Sequence, residues 1–125
     1  MGNDSRYMLD SSSILDSVKR LLGISRHDDG FDYEIKDMIN AEFLTLHQLG
    51  IGPEAGFSIT GPDELWDDYT DNLHLQDAVR QFIHLRVRMV FDPPASSTVA
   101  EAINNRISEL EFRMNIQAEG DAAES

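Results

Sequence analysis

The residues of this chain best equipped for chemistry are its carboxylates. Twenty-three Asp and Glu stand against ten Lys and Arg, giving a net charge of −13. Two local groups point first to a divalent cation: Asp67, Asp68 and Asp71, and Asp28, Asp29 and Asp32. Neither follows the alternating D-x-[DN]-x-[DN]-G-x5-E loop that aims successive oxygens at one ion. Helix starts attract carboxylates to the positive end of the dipole, so caps and solvated loops account for both groups. The four histidines, at 27, 47, 74 and 84, include no His-x3-His pair that would ligate zinc from one helix face. Ser11, Ser12 and Ser13 have no His and Asp company at motif spacing, and helix capping explains them. The glycines at 23, 50, 52 and 56 build no phosphate-cradling loop followed by Lys. With no Cys present, disulfides and thiolate metal sites are excluded. The sequence therefore nominates no catalytic residue, no metal ligand and no cofactor.

Charge also limits the partners. Between Asp28 and Val79 there are thirteen acids and one base, Lys36. Gripping phosphates needs the opposite balance, because affinity comes from neutralisation and counterion release. Tight nucleic-acid binding is not expected, and the acidity reads chiefly as a well-solvated surface. No apolar run approaches the roughly 18 residues that span a bilayer. The start, Met1 to Arg6, lacks a signal-peptide core and misses the myristoylation pattern at Arg6.

The elements that must position any site are helical. In 125 residues, 41% of them hydrophobic, there is room for one domain with a modest core. A helix begins at Ser12 or Ser13, carries Ile14, Leu15, Val18, Leu21 and Leu22 on one arc, and stops at Gly23. A second runs from Asp32 to Gly50 with a stripe of Ile35, Met38, Ile39, Phe43, Leu46 and Leu49, leaving Leu44 pointing away. A third spans Leu75 to Phe91 and is stopped by Asp92-Pro93-Pro94. Its second half is apolar nearly all round, as for a central helix. Arg80, His84 and Arg88 form its one polar stripe. A fourth opens on a Thr98-Val99-Ala100-Glu101 capping box and follows a seam of Val99, Ile103, Ile107, Leu110 and Met114. The expected fold is all-α, four-helix bundle-like, with a short hairpin or irregular arm between helices two and three.

That arm occupies about residues 51–72 and is broken by Gly52, Pro53, Gly56, Gly61 and Pro62. Phe57-Ser58-Ile59-Thr60 alternates like a short strand, and Pro62 can open a brief helix through Asp68. Residues 1–11 form an N-terminal extension, 12–116 the helical domain, and 117–125 an acidic tail of a composition that is normally disordered. Arg86 falls within an apolar arc. It either snorkels or pairs with a carboxylate across the core or a subunit boundary.

The order of several segments resembles the head–tail connector (adaptor) family of long-tailed, siphophage-type phages. The segments are Ile14-Leu15-Asp16-Ser17-Val18-Lys19-Arg20-Leu21-Leu22-Gly23-Ile24, Leu46-His47-Gln48-Leu49-Gly50-Ile51-Gly52-Pro53 and Trp66-Asp67-Asp68-Tyr69. They continue with Leu85-Arg86-Val87-Arg88-Met89-Val90-Phe91-Asp92-Pro93-Pro94 and a helix carrying Ile107 to Asn115. The resemblance covers about residues 14 to 117.

It implies a non-enzymatic virion protein of the neck, present in host cytoplasm before assembly. Copies would form a ring, usually dodecameric, between the portal protein and a downstream neck or tail-completion protein. Packaged DNA would pass through without specific binding, and no membrane is involved. A ring subunit needs apolar side chains left over after its own core closes. The expected portal or subunit interface is Phe112, Arg113, Ile116, Gln117, Leu44, Arg86 and Arg88. A second interface is expected on the arm at Phe57, Ile59, Trp66, Asp67 and Tyr69. The alternative from another class is a small acidic helical regulatory or antitoxin-like protein that binds a basic partner.

Overall fold

The structure is a computed structural model. It describes residues 12–124, with side chains described as far as residue 119. Five helices follow one another among these residues: α1 Ile14–Leu21, α2 Asp32–Gln48, α3 Trp66–Tyr69, α4 Leu73–Phe91 and α5 Ser97–Glu124. The fold is all-α, with four main helices and the single turn of α3. The expected strand at residues 57–60 does not form. Among the described residues the only β-type pairing is an isolated antiparallel bridge between Ser13 and Leu65.

Local sequence sets the helix ends. Ser13 caps α1: its hydroxyl oxygen accepts from the Asp16 amide at 3.3 Å, while the hydroxyl donates to the Pro62 carbonyl at 2.7 Å. The tripeptide Leu-Gly-Ile closes both α1 and α2 in the same way. Gly23 N–H donates to Arg20 and Ile24 N–H to Lys19; Gly50 N–H donates to His47 and Ile51 N–H to Leu46. Both are Schellman closures, with the glycine at positive φ and an apolar residue following it into the protein. Helix α4 starts at Leu73, two residues earlier than expected, because the Asn72 side chain accepts from the Leu75 amide. Helix α5 starts at Ser97 rather than after a Thr98–Glu101 box. The residue before it, Ser96, accepts from Val99 N–H on its hydroxyl and from Ala100 N–H on its carbonyl.

One core joins all the helices. It contains Ile14, Leu15 and Val18 of α1, Ile35, Ile39, Phe43 and Leu46 of α2, and Leu75, Val79, Phe82, Ile83 and Val87 of α4. Ile51 and Ile59 of the arm, Trp66 and Tyr69 of α3, and Ile103, Ile107, Leu110 and Met114 of α5 complete it. Four positions expected to be inside are exposed. Leu21 and Leu49 sit at helix ends where the chain turns away, Val99 lies in the first turn of α5, and Val90 lies in the last turn of α4. Helix α4 is thus central without being enclosed all round.

Helix α5 packs chiefly on α4 and runs antiparallel to it, since Arg106 bonds Gln81 while Leu110, Met114 and Gln117 meet Leu75 and Ala78. Its 28 residues make a rod about 42 Å long. It runs on through the expected boundary at 117, because Ala118, Ala122, Ala123 and the glutamates favour helix despite Gly120.

The arm is irregular and is sewn onto α2. Asn40 acts as a substitute strand: its amide nitrogen donates to the Ile59 carbonyl at 2.9 Å, and its oxygen accepts from the Ile59 amide at 2.8 Å. His47 bonds the Glu54 carbonyl at 2.9 Å. Pro62 does not open a helix; α3 begins only at Trp66, where the Asp68 carboxylate accepts from the Leu65 amide.

Candidate assembly surface

Four of the six carboxylates first considered for a cation have other duties. Asp28 closes a turn on the Gly30 amide, and Asp68 caps α3. Asp67 accepts from the Gln76 side chain at 2.8 Å. Asp32 pairs at 2.7 Å with Lys19, whose side chain is almost wholly buried. Among the described residues no three acids and histidines converge as a metal site would require. Ser11 lies outside the described residues; Ser12 is exposed and Ser13 is a cap.

His84 is held below the usual histidine range by burial, and by the positive charge of Arg88, against the opposing effect of its bond to the Leu21 carbonyl. Burial raises the Tyr69 phenol to about 12, so it remains a neutral donor throughout the physiological range. Neither residue stands beside a nucleophile or a convergent set of donors.

What the surface does carry is unpartnered apolar area. Phe112 is 66% exposed and Ile116 54% exposed. At about 100° per residue, Phe112 lies diametrically opposite the buried line of Ile103, Ile107, Leu110 and Met114, with Ile116 one turn further on. Leu44 of α2 is also exposed. Arg113 sits on the same rod and bonds Glu109 at 2.7 Å, while Gln117 lines the groove between α4 and α5. Arg86 is engaged within the chain. Its Nε meets Glu42 at 2.8 Å, with Glu42 largely buried, and its guanidinium lies 5.7 Å from the Phe82 ring centre. The carboxylate-pair reading of Arg86 therefore describes it, across the α2–α4 contact. Arg88 lies on the same helix beside His84.

The arm corrects an expectation. Ile59, Trp66 and Tyr69 are at most 4% exposed, and Phe57 packs against the core. Their rings gather on Phe43: Phe57 and Tyr69 each lie 5.0 Å from it, and Trp66 6.4 Å. The Trp66 indole donates to Ser17 of α1 at 2.9 Å. These side chains are consumed by the chain's own core and are not left over for a neighbour. Of that set only Asp67 is on the surface.

Sequence reasoning passed over Lys19, Asn40 and the pairing of Gly52 with Tyr69. Lys19 had a signal, because it follows Leu15 by four residues and precedes Leu22 by three, which puts it on the buried arc. Gly52 had none. A Cβ there would come within 2.8 Å of the Tyr69 ring, a contact made by residues seventeen apart in sequence.

The chain matches no curated protein and no solved structure. It does match a family model described as phage connector protein, over residues 14–121. That span starts at the first residue of α1, takes in the arm with its aromatic cluster, and runs along α5 past Phe112 and Ile116. With so much of its length matched, including every helix that shapes this surface, the chain belongs to the phage connector protein family.

Proposed function

We propose that the chain is a ring-forming adaptor of the phage neck. Copies would sit beneath the portal protein, extend the DNA channel and present a surface to the next neck or tail-completion protein. The observation that carries this reading is the family match over residues 14–121, since the phage connector family is a structural family of the phage particle and not an enzyme family. Physical features support it. The rod of α5 holds Phe112 and Ile116 away from the core, where each forgoes roughly 1.5–3 kcal/mol of burial that a neighbour can restore. The acidity favours a channel past which DNA slides without sticking. Among the described residues no helix is long and apolar enough to cross a membrane.

In this reading Phe112, Arg113, Ile116 and Gln117 dock on the portal or an adjacent copy, and Leu44 and Arg88 extend the contact. Purified chain mixed with the portal of the same phage should co-elute and show a ring by electron microscopy. Phe112→Ser with Ile116→Ser should abolish that complex while leaving a folded monomer. The point variants are preferable to deleting residues 112–125, because Met114 is fully buried. Association with a small basic protein in place of the portal would overturn the proposal.

A further inference from the structure

The end of the bundle opposite the arm carries exposed apolar side chains in a charge setting unlike the rest of the chain. The last turn of α1, the start of α2 and the last turns of α4 meet there. They are held by the Lys19–Asp32 pair, by the bond of His84 to the Leu21 carbonyl, and by an edge-to-face contact of Phe31 with Phe91 at 5.2 Å. Leu21 is 49% exposed and Phe31 48%. Arg88 stands between these two contacts, because His84, Arg88 and Phe91 share one face of α4 at spacings of four and three. Residues 19–36 and 84–92, which build this end, hold six of the chain's ten bases and only five of its twenty-three acids. A local net charge of +1 thus stands on a chain whose total is −13.

We infer that this surface receives the free face of α5 from a second copy of the chain, with Phe112 and Ile116 seated against Leu21 and Phe31. The inference rests on the adaptor reading and gives the α5 face to a neighbouring copy, not to the portal. Charge selects the occupant. At about 100° per residue, Glu109 and Glu119 fall within about 60° of Phe112, so the α5 face presents apolar side chains among acids. Two such faces set against each other would oppose acid to acid, whereas the Arg88 end offers bases. The repulsion between two chains of −13 is screened beyond about 8 Å at physiological salt, which leaves the local match to decide. Geometry makes the contact head-to-tail. Leu110 and Met114 lie level with Leu75 and Ala78, so Phe112 stands roughly 20 Å along α4 from Phe91. One chain cannot join its own two halves. Any pair leaves one half free at each end, and the contact repeats until a ring closes.

The chain has no Cys, so disulfide trapping reads this contact without background. Ile116→Cys protein is mixed with Phe31→Cys protein under mild oxidation, both alone and with the purified portal of the same phage. Leu21→Cys serves as a second partner in case Phe31→Cys disturbs the packing on Phe91. The mixed disulfide should form in clear excess over either homodisulfide. Adding Phe112→Ser to the Ile116→Cys chain should cut its yield roughly tenfold or more, the fold-change expected for losing one buried Phe. Arg88→Glu in the partner should lower the yield more at low salt than at high salt. Products in the statistical proportions of random collision, or a dominant Ile116 homodisulfide, in both conditions would overturn the inference. If the portal binds the wild type and the mixed disulfide still fails to form, the adaptor reading stands and this contact is wrong. If the portal binds nothing, the adaptor reading fails by itself, whichever disulfide forms.

Discussion

Lys19 and Asp32 make an ion pair whose two ends are unequally placed, and that inequality predicts an unequal response to mutation. The Lys19 side chain is 1% exposed and the Asp32 side chain 31%, with the pair at 2.7 Å. Apart from Asp32, the ammonium meets only the Arg26 carbonyl among the described residues, at 3.3 Å. Asp32→Asn leaves a buried charge facing only neutral oxygens, with no counter-ion, a situation that costs about 3–5 kcal/mol. It also removes a carboxylate from the first turn of α2, worth about 0.3–1 kcal/mol more. Lys19→Met leaves a carboxylate that water can reach and fills the lysine's space with a side chain of similar shape, so its cost should stay below about 1.5 kcal/mol. At roughly 3–5 °C per kcal/mol for a domain of this size, Asp32→Asn should lower Tm by about 10–30 °C and Lys19→Met by less than about 7 °C. Urea unfolding followed by circular dichroism should show the same order in the midpoints, with m unchanged. If Lys19→Met proved as damaging as Asp32→Asn, the reasoning from desolvation would be wrong.

Two further outcomes follow from single side chains. Asn40→Ala should cost about 2–3 kcal/mol, because the buried Ile59 loses partners for both its amide and its carbonyl; hydrogen exchange at the Ile59 amide should accelerate, and unchanged protection would contradict the strand-substitute role. His84 has a folded pKa below its ordinary value of 6.5, so the unfolded chain binds its proton first as pH falls. Its stabilising effect is complete above about pH 6.5 and is lost as pH falls through the folded pKa. Denaturation midpoints between pH 7 and 5 should therefore fall less steeply in His84→Gln than in the wild type, and equal slopes would refute the assignment.

The parts of the fold legible in the sequence are those governed by neighbours three and four residues away. The Leu-Gly-Ile stops, the Ser13 cap, the Asp92-Pro93-Pro94 break and the line from Ile103 to Met114 are all of this kind. The arm was not legible. Alternation at Phe57 to Thr60 pointed to a short strand, which does not form; Ile59 is bonded by an amide side chain on α2 and not by another strand. Aromatic residues in a Gly- and Pro-broken stretch suggested surface, while Phe43, fourteen residues upstream of Phe57, gathers them into the core. Helix starts drifted by one or two residues wherever an unexpected side chain, Asn72 or Ser96, reached the first amides sooner. Of the candidate surface, Phe112, Ile116 and Leu44 are exposed as their helical phase required. The burial of Arg86's partner, Glu42, depended on a contact across forty-four residues that no periodicity encodes.

Moving the arm's aromatics inward changes where assembly must be sought. The sequence offers both the arm and α5 as contact regions. Trp66, Tyr69 and Ile59 are now accounted for by Phe43, Ser17 and Asn40, and extracting any of them for a neighbour would open the core. The ends of α5 are under no such demand. Its packing partner is chiefly α4, and the face that carries Phe112 and Ile116 contributes nothing to the chain's own closure. A lone exposed Phe is ordinary, but an apolar pair one turn apart, opposite a fully used seam on a rod of about 42 Å, is organised like the free side of an interface. Acids flank that pair at Glu109, Glu111 and Glu119, with Arg113 tied to Glu109. A partner surface that fits should offer an apolar socket ringed by basic residues. Reversing the charge of that ring should weaken the complex at low salt more than at high salt, whereas filling the socket should weaken it equally at both.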